Sequence, residues 1–327
     1  MNESLQSGGP SRAKIVLAFA AIYVIWGSTY LAIRVAIQTM PPFCMAGVRF
    51  VVAGALLYAW MRWRGTPPPQ SRHWLAATPV GALLLVGGNG GLVWAEQRVP
   101  SGLSAILLGM IPLWLVLLDS LRPRGPALTP RMTAGLLTGL AGIAVLVGPA
   151  HLWGSSRMDL AGASALMASA FCWAVGSLYS RTARLPDSPF LAAAMQMLTG
   201  GALLLVLGGL FERGQLHWCS ISFPSVAAVL YLVVFGSLLG FTAYIWLLHV
   251  VPTSRVATYG YVNPMVAVFL GWSLGGESVS VRELLATVII ISAVMLILFH
   301  QQPPAAVAPD SEGLPTAEER RAMGIDD

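Results

Sequence analysis

Long apolar runs separated by short polar or proline-rich breaks dominate the chain. A helix needs about 20 mostly apolar residues to cross the hydrocarbon core of a bilayer. That pattern predicts spans near 15–35, 43–61, 74–95, 101–119, 131–149, 159–180, 190–210, 224–247, 255–274 and 283–300. The breaks are of the kind that stop helices: Pro41-Pro42, Pro67 to Pro69, Pro100, Pro123 to Pro126, Pro186 to Pro189, Pro252 and Gly275-Gly276. The first run is too long for a cleaved signal peptide and no small-residue cleavage site follows it. The expected fold is therefore an all-α integral membrane protein with ten transmembrane helices.

Basic residues set the orientation, because short cytoplasmic loops carry an excess of Lys and Arg. The N-terminus, the loops after even-numbered spans and the tail hold Arg12, Lys14, Arg62, Arg64, Arg72, Arg122, Arg124, Arg131, Arg181, Arg184, Arg255, Arg320 and Arg321. The opposite loops hold Arg34, Arg98, Arg157, Arg213 and Arg282, and Arg49 lies inside a span. Both termini are expected in the cytoplasm, in a multi-pass membrane protein. After a short cytoplasmic N-terminal segment (1–14), the tail 301–327 is Pro/Ala-rich and then charged, and reads as a solvated, disordered cytoplasmic extension.

Composition removes other classes. The chain of 327 residues is 56% hydrophobic before its 34 glycines, which bring the apolar share to about two-thirds, and only 10% is charged. Ordinary soluble domains are about 45–50% apolar and about 25% charged. With a mean hydropathy of +0.71, a soluble enzyme, a secreted disulfide scaffold and a disordered chain are excluded. Cys44, Cys172 and Cys219 are odd in number and widely spaced, so neither a disulfide framework nor a zinc site is implied. The net charge of +5 is scattered rather than clustered and points to no nucleic-acid partner.

The chain also repeats itself, which decides its architecture. At an offset of 152, Gly88, Trp94, Val99, Pro100, Ala105 and Pro112 match Gly240, Trp246, Val251, Pro252, Ala257 and Pro264. At 147, Pro42-Phe43, Ala46 and the run Gly54 to Leu57 match Pro189-Phe190, Ala193 and the run Gly201 to Leu204. Two repeats, 15–149 and 159–300, are expected. Five helices in each would insert the second copy upside down, which is the logic of a secondary transporter with its site at the repeat interface.

The residues then become recognisable. Tyr23-Val24-Ile25-Trp26-Gly27-Ser28-Thr29-Tyr30, Pro41-Pro42, the run Ala46 to Phe50, the run Ala95 to Leu103 and Ile111-Pro112 resemble the first repeat of EamA-type carriers of the drug/metabolite transporter superfamily. The run Tyr259 to Ala267, with Gly275-Gly276-Glu277, resembles the second. The resemblance covers about residues 15–300 and is closest to the YedA-like branch. It implies a ten-helix inner-membrane carrier, often an exporter of amino acids or other metabolites. The small multidrug exporters of the superfamily carry a proton-coupling Glu in span 1; no acid stands there here, which argues against exchange of cationic drugs for protons.

Candidate chemistry is sparse. No GxxxxGK[ST] motif, metal cluster or cofactor signature is present, and the five histidines fall at helix ends or in loops. A lipid-acting intramembrane enzyme would need a nucleophile with a base, or clustered carboxylates, at one depth; none is evident. Tyr23, Gly27, Tyr30 and Arg34 share one helix face with Trp26 beside them, and Trp173, Gly176, Ser177 and Ser180 share another. Either close helix packing or a cavity wall fits these faces. Gly87-Gly88-Asn89-Gly90-Gly91 weakens span 3 at mid-membrane. Pro112 and Pro264 occupy matching positions and are expected hinges.

Arg49 needs a partner or a wet cavity, and by depth alone Glu96 and Asn89 are its candidate partners. The candidate substrate-binding set is Trp26, Tyr30, Arg49, Asn89, Glu96, Trp173, Tyr179, Gln196, Tyr259, Tyr261 and Asn263. The expected function is secondary active or facilitative export of a small polar organic metabolite by a monomer in lipid, with protons as the candidate coupling ion. Efflux of apolar drug-like compounds is the alternative.

Overall fold

The computed structural model describes residues 11–122, 129–147, 159–214, 221–251, 253–256 and 258–298. Cys219 and the tail expected at 301–327 lie outside the described residues, as do residues 1–10 of the N-terminal segment. Every regular element among the described residues is helical. In chain order the helical runs are α1 (Arg12–Ala36), α2 (Pro42–Trp63), α3 (Ser71–Ala95) and α4 (Ser101–Ser120), then α5 (Pro130–Val147) and α6 (Leu160–Ser180). They continue with α7 (Pro189–Phe211), α8 (Phe223–Val250), α9 (Tyr259–Ser273) and α10 (Val281–Leu298). By length and composition α1 to α4 and α6 to α8 can each cross a membrane, and α9 contributes the shorter apolar helix Val262–Ser273.

Starts and stops follow local chemistry. Pro42 and Pro189 open α2 and α7 at positions where a missing N–H costs nothing. Asp159, Ser188 and Ser222 cap the N-termini of α6, α7 and α8 with their side-chain oxygens. Glycines with positive φ, Gly65 and Gly214, follow the ends of α2 and α7.

Two kinds of irregularity shape the interior. First, α4 is interrupted at Gly109-Met110, one turn before Pro112, and one turn of helix (Thr253–Val256) precedes α9. The proline ring cannot coexist with an unbroken hydrogen-bond ladder at the carbonyl four residues earlier. The expected span 101–119 is therefore interrupted at that point, whereas Pro264 sits inside the continuous helix Tyr259–Ser273. Second, wide π-type turns occupy Ala21–Ile25 in α1, Ala82–Gly90 in α3 and Leu232–Phe241 in α8. The stretches in α3 and α8 fall at matching places in the sequence repeat. Such turns recur at functional sites because they release main-chain carbonyls and re-aim side chains.

Close packing depends on glycine. In α2 and α7, a Cβ at Gly54 would lie 2.9 Å from the Leu198 nitrogen, and one at Gly201 would lie 2.8 Å from the Val51 nitrogen. Further along, Gly47 meets Leu205 and Gly208 meets Cys44. Numbers rise along α2 as they fall along α7, so these two helices run antiparallel. The same holds for α4 and α9: Gly102 meets Val268, Gly109 meets Pro264 and Gly260 meets Pro112. α3 and α6 are antiparallel too, through Gly87–Cys172, Gly88–Trp173 and Gly176–Leu83. Helices α5 and α10 pack on each other, with Gly142 against Ile290.

Candidate functional site

A cavity with about 570 Å³ of empty space, part of it open to solvent, lies among α1, α2, α3, α4, α6, α8 and α9. Its wall is formed by Trp26, Thr29, Tyr30, Arg49, Phe50, Gly88, Asn89, Leu92, Leu108, Ile111, Ser169, Trp173, Gly236, Phe241, Tyr259 and Asn263. Arg49 is the single formally charged residue in that lining.

The wide turns of α1 and α8 are each tied by a side chain from another helix. Asn263 of α9, with its amide nitrogen facing α1, donates to the carbonyls of Ile22 and Tyr23 at 3.1 and 3.0 Å. Trp26 Nε1 donates to the Gly236 carbonyl of α8 at 3.1 Å. The released carbonyls therefore fix the cavity wall rather than standing empty, as buried main-chain groups require. In α3 the glycines do the equivalent steric work, letting Cys172 and Trp173 of α6 approach so closely that a Cβ at Gly87 or Gly88 would lie 2.7 Å from them.

Aromatic rings form one side. Trp26 lies 5.5 Å from Trp173, 5.0 Å from Tyr244 and 5.3 Å from Tyr259, centroid to centroid. Edge-to-face and tilted contacts of this kind add to simple burial. Tyr244 ties the cluster together, since its hydroxyl accepts from Trp173 Nε1 at 3.1 Å and bonds Ser177 Oγ at 2.6 Å.

Arg49 stands on the α2 wall. It is 3% exposed, its Nε donates to Ser237 Oγ at 2.9 Å, and its guanidinium lies 4.6 Å over the Phe50 ring. Its Nη1 has no partner, and neither do the Asn89 Oδ1 or the Tyr259 hydroxyl. These three unpartnered polar atoms belong to residues that share the cavity wall.

Of the candidates named from the sequence, Trp26, Tyr30, Arg49, Asn89, Trp173, Tyr259 and Asn263 line this cavity. Three others do not. Tyr179 is 41% exposed, near the end of α6. Gln196 is fully buried, with neither amide atom paired, on the stretch of α7 that packs against α3. Glu96 is fully buried outside the lining, and the expected Arg49–Glu96 pair is not formed: the guanidinium turns to Ser237, and both Glu96 oxygens lack partners. Depth along a helix gave no information on which way each side chain points. The Tyr261 side chain lies outside the described residues. Sequence reasoning missed Thr29, Phe50, Ser169, Gly236, Phe241 and the supporting Tyr244 and Ser237. The repeat offset held a signal for some of them, because Asn89 and Phe241 are mates at 152, as are Ile111 and Asn263, and all four line the cavity.

Comparison with known proteins decides the family. The model of the EamA-like transporter family matches residues 13–148 and again residues 160–299. The chain belongs to that family. It is 38% identical over 278 residues to YedA of Escherichia coli (strain K12), an uncharacterized inner membrane transporter, covering 85% of this chain and 88% of YedA. The transporter YoaV of Bacillus subtilis (strain 168) is 23% identical, over 88% of this chain and 97% of its own. The WAT1-related chloroplastic protein At3g02690 of Arabidopsis thaliana is 24% identical, over 91% of this chain and 72% of its own. One crystal structure shares the fold with a TM-score of 0.65 and 24% identity, over 88% of this chain and 98% of that one. This EamA-like protein is accordingly a multi-pass membrane transporter, built of helices and matched to its family twice along its length.

Proposed function

We propose that the chain is a ten-span carrier, made of two inverted five-helix repeats. In this reading it exports a small polar organic metabolite, an amino acid or a close relative, across a bacterial cytoplasmic membrane. The observation that carries the reading is the Arg49 guanidinium. It is buried, has an unpartnered Nη1, and belongs to a cavity wall that contains no acid. A guanidinium does not lose its proton near neutral pH, and a buried charge without a partner is costly. A ligand carboxylate supplies the missing partner in a forked, charge-assisted geometry. Asn89 Oδ1 and the Tyr259 hydroxyl are then free to accept from an ammonium or hydroxyl group, and the aromatic cluster takes the carbon skeleton or the cation's face.

The antiparallel packing of α2 with α7 and of α4 with α9, which are mates in the sequence repeat, supports the inversion. The twofold family match supports it too. The contacts of Gly109 with Pro264 and Gly260 with Pro112 bring both prolines to one crossing. A rocking motion of one repeat against the other pivots there and alternates access to the cavity. The carrier works as a monomer, with both termini in the cytoplasm.

A second reading, efflux of apolar drug-like compounds, is favoured by the aromatic wall. The two separate in proteoliposomes given a panel of radiolabelled solutes, with and without an imposed pH gradient, alongside analysis of lipid products. Flux of carboxylate-bearing solutes supports the first reading. Flux confined to apolar compounds supports the second. Lipid turnover without solute flux refutes both.

A further inference from the structure

Where α4 begins, two carboxylates stand close together and are used differently. Glu277, in the turn after α9, commits both oxygens to the start of α4. Its Oε1 accepts from the Ser101 nitrogen at 2.9 Å and from Ser101 Oγ at 2.6 Å, and its Oε2 accepts from the Gly102 nitrogen at 3.1 Å. The first N–H groups of a helix have no partner within it, and the helix dipole favours an ionised carboxylate there. Glu277 thus clips the α9 end to the α4 end as an anion.

Glu96 lies in the turn joining α3 to α4. It is fully buried, and neither carboxylate oxygen has a hydrogen-bond partner. The titratable and charged groups that act on it are Tyr30 and Arg34 from α1 and Glu277 from behind α9. Arg34 does not pair with the Glu96 carboxylate; it donates to the Glu96 main-chain carbonyl instead. Arg98, two residues further on, is held by Asp159 at 3.4 Å. An ionised Glu96 would bear its full desolvation cost beside a second anion. Burial first and the Glu277 carboxylate second push the Glu96 carboxyl well above the usual carboxylate range, against a smaller opposing pull from Arg34.

We propose that Glu96 is a proton-binding site, loaded while Glu277 caps α4 and emptied when α4 and α9 part at that end. The proposal rests on the two-state carrier reading and assigns its coupling ion. On opening, the Glu96 O–H bond breaks, the proton passes to water entering from that side, and the electron pair stays on the carboxylate. Arg34 then leaves the main-chain carbonyl and pairs with the new anion. The sign follows from linkage. A carboxyl whose closed-state pKa exceeds its open-state value stabilises closure fully below the open-state pKa. That stabilisation fades as pH rises to the closed-state pKa, with the closed-to-open ratio falling about tenfold per pH unit between them.

Two measurements test this without any transported solute, so they stand even if no amino acid is carried. In the first, Cys44, Cys172 and Cys219 are replaced by alanine and Ser104 by cysteine. Ser104 is fully buried one turn into α4, and its alkylation by a membrane-impermeant reagent reports opening. The rate with Glu96 is divided by the rate with Glu96→Gln at each pH, which cancels the thiol's own ionisation. That ratio should climb with pH, by up to about tenfold per pH unit; a ratio that stays flat overturns the proposal. In the second, infrared spectra of the intact protein should show one protonated carboxyl per chain at neutral pH that Glu96→Gln removes. Its absence overturns the proposal. Glu96→Asp, which keeps a titratable group, should retain the band if the Gln variant folds poorly.

Discussion

Replacing Arg49 perturbs the cavity at its one formal charge, and the consequences differ sharply between binding and stability. In Arg49→Gln a bound carboxylate loses its charged partner. Truncating one member of a buried charge pair costs about 2–5 kcal/mol, which at about 1.4 kcal/mol per factor of ten weakens apparent affinity by about 30-fold to a few thousand-fold. Arg49→Lys keeps the charge but gives up the planar fork and the 2.9 Å bond to Ser237. Losing a hydrogen bond to a charged group costs about 1.5–3 kcal/mol, so the Lys variant should lose about 10- to 150-fold. Without ligand, Nη1 is already unpartnered, and the Gln variant removes an uncompensated buried charge. Its melting temperature in detergent should hold or rise. The assay is half-saturation of solute flux in proteoliposomes, read beside thermal unfolding of the same preparations. Retained half-saturation with a lowered melting temperature would make Arg49 a structural group and refute the argument. A double-mutant cycle with Glu96→Gln should give a coupling in stability below about 0.5 kcal/mol, because the two side chains are not paired; a larger coupling would restore the discarded ion pair.

Gly236→Ala should reduce flux at constant expression, since a Cβ there would lie 2.8 Å from Arg49 Nη2 and displace the guanidinium; wild-type half-saturation would show that the guanidinium's position is immaterial. Pro112→Ala and Pro264→Ala should each slow turnover while leaving the melting temperature within a few degrees, because straightened helices at that crossing favour one state. Full flux from the double variant would remove the prolines from the mechanism. Single cysteines at Thr66 and Gly214 should label from opposite sides, cytoplasmic and external respectively; labelling from one side would break the inverted-repeat reading.

How far the sequence could be read depended on what sets each feature. Helix placement was legible because apolar length is a one-dimensional property: α2 runs Pro42–Trp63 where 43–61 was expected, and α7 runs Pro189–Phe211 where 190–210 was expected. The cavity wall was legible where composition alone exposed it, as in the glycine run around Asn89 and the buried Arg49. Orientation around a helix was not. The wide turns in α1, α3 and α8 shift the helical phase, so a 3.6-residue period carried through them points to the wrong face. That is why Phe241 and Tyr244 of α8 escaped notice. The Glu96 assignment failed for a related reason: its place at the outer end of α3 put it within Arg49's outward reach, while the turn after α3 directs it towards Arg34 and Glu277. Tyr179 failed because an aromatic near a span end is as well suited to an exposed position as to a site.

Counterflow tests the central claim most directly. Proteoliposomes are preloaded with an unlabelled amino acid, diluted into a trace of the same labelled compound, and compared with empty vesicles. A carrier that exposes one cavity alternately to each side should show labelled uptake well above the empty-vesicle rate. The corresponding amide, which lacks the carboxylate for Arg49, should not replace the acid inside. Equal uptake with and without preloading, or equal stimulation by acid and amide, would contradict the account.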